Sequence, residues 1–237
     1  MYEEQLRRAI QTIRQLRTEL DEAREALGAP IAIVGMGCRL PGGADSPEAF
    51  ARLLDAGYDA VRETPGERWS NETWYDPDPD APGKLNTRWG AFLDGLEDFD
   101  PAFFDLSERE VAEMDPQQRL LLETSWEALE RAAIAPASLS GTRAGVFVGI
   151  NGAEYYQRGI EDPGTITAHT LSGGVASAAA GRIAYQLGLN GPAVAIDTAC
   201  SSSLAAVHQA CRSLRSGESD RALAGGVYVV LEPNLSV

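Results

Sequence analysis

Apolar residues recur along the chain with two different textures, and the change falls near residue 28. From Tyr2 to Leu27 there is no Gly or Pro, and Leu6, Ile10, Ile13, Leu16, Leu20, Ala23 and Leu27 stand three or four residues apart among Glu and Arg. That spacing predicts an amphipathic helix with a narrow apolar stripe. The steps slip once near Leu16, which a short coiled coil absorbs as a local stammer. At the usual rise such a helix extends about 40 Å, more than the first helix of a compact domain needs. Gly28-Ala29-Pro30 then ends it, because Gly suits the C-terminal cap and Pro cannot continue the helix. Two readings stand: a helix lying on its own domain, or one that self-associates or docks a partner. Its place behind a Gly-Pro break favours the second.

From Ile31 onward short apolar runs alternate with helical patterns, an α/β signature. Ile31 to Gly35 is expected as a buried strand. Ser46-Pro47 and Asp115-Pro116 each supply an N-cap and a first-turn proline, for helices through about Ala56 and Ala133. Between them, Thr64 to Phe104 holds Trp69, Trp74, Trp89 and Asp76-Pro77-Asp78-Pro79-Asp80 without a sustained period. It reads as a long structured excursion, of a kind that often carries function. Ala144 to Gly149 is expected as a second buried strand, followed by a loop and a small-residue helix around Leu171 to Tyr185. A strand at Ala193 to Asp197, a turn holding Cys200, a helix from about Ser201 to Ser216 and a strand at Arg221 to Gly226 complete the pattern. No internal repeat stands out.

Composition narrows the class. With 237 residues and 44% hydrophobic content, the chain matches one ordinary globular domain with a real core. A net charge of −15 and the absence of any basic cluster argue against a nucleic-acid partner, because such proteins bring Lys and Arg to phosphates. No apolar run approaches the roughly 20 residues that span a bilayer. Nothing resembles a secretory signal, so a soluble, cytoplasmic protein without a membrane partner is expected. Cys38, Cys200 and Cys211 are an odd number without the spacing of a zinc or redox site, so no metal is expected.

Gly35-Met36-Gly37 after an opening strand invites a dinucleotide-binding reading, but the third glycine would fall at Leu40 and Pro41-Gly42-Gly43 follows. A tight backbone turn explains it better. Cys200 has the surroundings a nucleophilic thiol needs: a β-branched strand ends, the chain turns, and a helix begins near the sulfur. Unpaired N–H groups and the positive end of the dipole at a helix N-terminus favour a thiolate. Ser201, Ser202 and Ser203 crowd the approach little and can satisfy first-turn N–H groups. Free cysteines are more often inert and buried, and packing is the expected role of Cys211, inside the helix. The chain holds two histidines, His169 and His208. His208 lies about 12 Å further along the Cys200 helix and is expected to be a buried, hydrogen-bonded structural residue. Spacing alone cannot place His169 near the thiol.

Asp197-Thr198-Ala199-Cys200-Ser201-Ser202-Ser203-Leu204 resembles the nucleophile motif of modular type I polyketide synthase ketosynthases, members of the thiolase-like superfamily. Four further stretches fit in the family's order: Pro30 to Gly42, Met114 to Thr124, Gly145 to Gly149 and Leu223 to Val227. The resemblance covers Ala29 to Val237. It implies an α/β, thiolase-like fold with αβαβα layering, of which residues 29–237 form the N-terminal half of a β-ketoacyl synthase domain. It also implies a homodimer. Cys200 would take an acyl chain from the phosphopantetheine thiol of an acyl carrier protein, with no cofactor bound directly. A malonyl-type unit would then be decarboxylated and its carbanion would attack the Cys200 thioester. Subunits that only decarboxylate carry Gln in place of the nucleophile, which Cys200 argues against.

The family's two further catalytic histidines, in a His-Gly-Thr-Gly-Thr motif and a later Gly-His motif, have no counterpart in this sequence. Acylation without condensation is therefore the expectation for this chain alone, with apolar sheet and helix surface left exposed. Residues 1–28 resemble the coiled coils with which such subunits dock the preceding subunit of an assembly line. Arg7, Arg8 and Arg14 come early and Glu19, Asp21, Glu22 and Glu25 later, a distribution that can discriminate partners. A non-catalytic docking or scaffold fragment is the alternative reading.

Overall fold

The computed structural model describes residues 2–152 and 154–233. In chain order the elements are α1 (Tyr2–Gly28), α2 (Pro47–Asp55), β1 (Arg62–Glu63), α3 (Asn71–Trp74), β2 (Trp89–Gly90), α4 (Glu108–Ala112) and α5 (Pro116–Arg131). There follow β3 (Ala144–Ile150), α6 (Glu154–Ile160), α7 (Thr170–Gly174), α8 (Ala176–Leu187), β4 (Ala193–Ile196), α9 (Ser202–Arg215) and β5 (Arg221–Val227).

β3 lies between β4 and β5, parallel to both. Its alternation divides the core. Val146, Val148 and Ile150 turn to one face, where they meet Leu121, Leu122 and Leu129 of α5 and Ala180 and Ile183 of α8. Phe147 turns to the other and packs on Ala206 and Ala210 of α9. A strand covered on both faces reads as a continuous apolar run. The result is a three-layer α/β/α unit.

The helix starts follow their caps. Ser46 Oγ accepts from Ala49 N (3.1 Å) and Asp115 Oδ1 from Gln117 N (2.8 Å), each ahead of a first-turn proline. The small-residue helix expected around Leu171 to Tyr185 is instead two helices, broken at the extended Val175. The Gly173 carbonyl is the reason: it accepts from Asp115 N (2.9 Å) and from Gln118 Nε2 (2.8 Å), so tertiary donors replace the next helical turn. The expected loop after β3 holds α6. The excursion is tied from its start to its middle by the β1–β2 pair, and Trp69 stands edge-on to Phe92, just beyond β2.

Residues 31–35 do not form the expected buried strand: Ile33 is 81% exposed. A strand needs a hydrogen-bonding neighbour at about 4.8 Å. Here a groove of about 1600 Å³ separates the segment from β5. The segment rests on α5 instead. A Cβ on Gly35 would stand 2.1 Å from Ala128 O, and one on Gly37 2.5 Å from Thr124 O. Close approach to a helix backbone, rather than the expected tight turn, is what these glycines provide. The turn comes later, at Gly42 and Gly43, both with positive φ.

α1 runs its expected length, and every side chain described along Tyr2 to Asp21 is exposed, the Leu6, Ile10, Ile13, Leu16 and Leu20 stripe included. It does not lay that stripe on its own domain.

Candidate nucleophile elbow

Ile196 of β4, Gly149 of β3 and Gly226 of β5 share one rung at the C-terminal end of the sheet, the edge at which parallel α/β sheets gather their sites. A Cβ on Gly149 would stand 2.6 Å from Ser202 C and Ser203 N, and one on Gly226 2.6 Å from Ser203 Cβ. Two glycines therefore let the first turn of α9 sit directly on the sheet.

Between Ile196 and Ser202 the chain reverses through an elbow. Ala199 is left-handed, with φ 54°, a conformation that costs a non-glycine residue about 1 kcal/mol or more. The neighbours hold it there. Asp197 Oδ1 accepts from Ala199 N (3.0 Å). Ser202 Oγ accepts from Thr198 N (2.9 Å) and donates to Ala199 O (2.7 Å), which also receives Ser202 N (3.0 Å). Ser201 Oγ lies 2.9 Å from both Thr198 O and Thr198 Oγ1.

Cys200 is exposed at the outer turn of this elbow, two residues before α9. The serines do not cap the helix as expected: Ser201 makes no side-chain cap, and the hydroxyls of Ser201 and Ser202 turn back onto the elbow. First-turn N–H groups have no acceptor inside their own helix. That end of α9 is therefore suited to a sulfur anion or the oxyanion of an attacked thioester.

The other cysteines differ. Cys38 is half-buried, its Sγ 3.7 Å from Ala44 O, and burial pushes its thiol up despite Arg39 and Arg131 nearby. Cys211 is half-buried within α9, beside Ala210.

His208 is exposed, not the buried residue expected. Ala206, Ala210 and Ser213 face the sheet, and position 208, two residues from either alanine, falls on the opposite side of the helix. His169 is half-buried ahead of α7, its N–H donating to Thr167 Oγ1 (3.0 Å). Close by, hydroxyls of Thr167 and Thr170 hold the Glu113 carboxyl below its usual range. Neither imidazole hydrogen-bonds the elbow. Among the described residues no group of three or more His, Cys, Asp and Glu is arranged to hold a metal, and no helix is long and apolar enough to cross a membrane.

Ser202, Ala199, Gly149 and Gly226 were not singled out as site residues by pattern. The available signal was a glycine near the C-terminal end of two strands, Gly149 in β3 and Gly226 in β5, which marks close backbone approach.

Residues 28–237 match the family described as "Beta-ketoacyl synthase, N-terminal domain". The chain is 52% identical over 233 residues to the phenolphthiocerol synthesis polyketide synthase type I Pks15/1 of Mycobacterium marinum, covering 95% of this chain and 11% of that protein. It is 50% identical over 223 residues to a phenolphthiocerol/phthiocerol polyketide synthase of Mycobacterium tuberculosis, covering 94% and 14%. It thus spans a small part of these relatives. Among solved structures, the oxazolomycin ketosynthase domain of Streptomyces albus superposes with a TM-score of 0.79 at 43% identity, over 85% of this chain and 35% of that one. The ketosynthase from module 6 of the bacillaene synthase of Bacillus subtilis superposes with a TM-score of 0.74 at 37% identity, over 86% and 33%. The α/β/α unit is thiolase-like, and the chain belongs to the β-ketoacyl synthases, as the N-terminal domain of a ketosynthase of the polyketide synthase type.

Proposed function

We propose that Cys200 is the acyl-accepting nucleophile of a ketosynthase that builds polyketides from carrier-bound units. The observation that carries this reading is an exposed thiol on a strained strand-to-helix elbow, at the sheet edge where α/β folds place their chemistry. Cys200 Sγ attacks the thioester carbonyl of an acyl group carried on the phosphopantetheine of an acyl carrier protein. The new S–C bond forms, the donor S–C bond breaks, and the carrier thiol leaves with the proton that Cys200 gave up. Bonds made and broken are chemically alike, so positioning and oxyanion stabilisation supply the catalysis. In the complete domain, working as a homodimer, decarboxylation of a malonyl-type unit then yields the carbanion that attacks the Cys200 thioester.

Incubation with an acyl-loaded carrier protein, followed by intact-protein mass measurement, tests this. The expected result is one acyl adduct, labile to hydroxylamine and absent in Cys200→Ala, with no β-ketoacyl product when malonyl carrier is added. An adduct that persists in Cys200→Ala would remove Cys200 from the role, and efficient ketoacyl formation by this chain would refute the division into acylation and condensation.

A second reading concerns residues 1–28 as a coiled-coil docking segment for an upstream synthase subunit. It is supported by the exposed apolar stripe of α1, because a surface helix normally buries such a stripe. Replacing Ile10 and Leu20 with Asp should abolish association through α1 in sedimentation experiments. Unchanged oligomerisation and unchanged subunit pairing would contradict it.

A further inference from the structure

Cys200 cannot be aimed by its own contacts, since it is exposed. Its direction is set by the peptide units before and after it. We infer that Ser202 is the positioning residue of the nucleophile: through one hydroxyl it locks Ala199 in the left-handed conformation that aims the Cys200 sulfur at an incoming thioester. This rests on the reading of Cys200 as acyl acceptor.

A serine hydroxyl has one proton and two lone pairs. Ser202 uses the proton on Ala199 O (2.7 Å) and a lone pair on the N–H of Thr198 (2.9 Å), so a single atom spans the elbow from entry to apex. The anchor itself cannot drift. Ser202 is 7% exposed, and its backbone lies where the Cβ of any residue but glycine at position 149 would clash, 2.6 Å away. Its neighbours make no such bridge. Ser201 reaches only Thr198, and Ser203 is exposed. Without the hydroxyl, Thr198 N loses its acceptor, and Ala199, left with its bonds to Asp197 Oδ1 and Ser202 N, relaxes from a conformation that alanine disfavours. That relaxation turns the peptide joining Ala199 to Cys200 and swings the sulfur.

In the transfer that this controls, the Cys200 Sγ–acyl bond forms as the donor S–acyl bond breaks, and the displaced thiol takes up a proton, with no change of oxidation state. Misplacement by about 1 Å costs such a reaction up to a hundredfold. Simple alkylation tolerates many directions of approach.

The test compares two probes at Cys200, an acyl N-acetylcysteamine thioester and iodoacetamide, both read by mass spectrometry, with melting curves for every variant. Ser202→Ala should slow acyl transfer about tenfold or more while alkylation and the Ser203→Ala control stay near wild type. Ala199→Gly combined with Ser202→Ala should recover much of the loss, because glycine adopts the left-handed conformation freely. A residue needed only for stability predicts instead that melting temperature and both probes fall together in Ser202→Ala and recover together in the double variant, since the glycine relieves the strain at position 199 in either case. Ala199→Val, at an exposed position, should reproduce the probe-selective loss without disturbing Ser202, which keeps the test decisive if Ser202→Ala does not fold. The inference is overturned if Ser202→Ala or Ala199→Val transfers acyl groups at the wild-type rate, if both probes slow equally, or if the double variant is slower than Ser202→Ala. A wild-type chain that takes no acyl group at all would instead sink the acyl-acceptor reading itself.

Discussion

Glu154 shows how a single side chain ties charge to fold. It is 5% exposed, its Oε2 accepting from Leu231 N (2.7 Å) and Glu232 N (3.0 Å) while Oε1 has no partner among the described residues. Burial pushes its carboxyl above the usual range, although the two backbone bonds pull it down. With a folded-state affinity for protons above that of the unfolded chain, its contribution is fully present below the unfolded carboxylate range. It is lost as pH rises toward and through the folded value. Glu154→Gln keeps an acceptor for both N–H groups and removes the titration. The gain in urea midpoint on acidifying wild type from about pH 7 to about pH 5 should therefore shrink in Glu154→Gln. An unchanged pH dependence would contradict the assignment. At this scale the sequence was legible in Cys200, whose strand-turn-helix context is local. His208 was not, because which side of α9 meets the sheet depends on Phe147 and Ala222, far away in the chain. Ser202 was hidden for the same reason: its hydroxyl could cap a helix or bridge a turn, and only the seat on Gly149 decides.

Among elements, caps were readable and partners were not. Ser46-Pro47 and Asp115-Pro116 set their helix starts because a cap needs only neighbours two or three residues away. Residues 31–35 carry strand-like apolar character, yet a ladder requires a second chain segment beside them, which the pattern of one segment cannot supply. The split between α7 and α8 arose likewise from donors on Gln118 of α5 and on its N-cap, Asp115. The contact between α9 and the sheet can be probed directly. Gly149→Ala should cost about 1 to 3 kcal/mol in urea denaturation, the range for overpacking a close contact, since the new Cβ meets backbone at 2.6 Å. Gly181→Ala, on an exposed face of α8 with nothing within 4 Å, should instead stabilise, by about 0.5 to 1 kcal/mol. Equal effects of the two substitutions would mean that α9 does not rest on β3 as described.

For the molecule as a whole, one three-layer unit presents a thiol at the C-terminal edge of a parallel sheet, and a separate helix presents an unpartnered apolar stripe. The acidic net charge bears on neither site. Five ordered sequence stretches made the family legible, because they sample strands, a helix and the elbow of one fold together. The groove beside β5 and the unpaired segment across it had no signature, since both depend on the spacing between distant segments. The central claim is that, of the cysteines at 38, 200 and 211, the elbow selects one for acyl transfer. Peptide mapping of the chain after brief exposure to an acyl thioester measures that choice. The acyl group is predicted on the Cys200 peptide alone, with half-buried Cys38 and Cys211 unmodified; acylation spread over the three, or concentrated on Cys38 or Cys211, would contradict it.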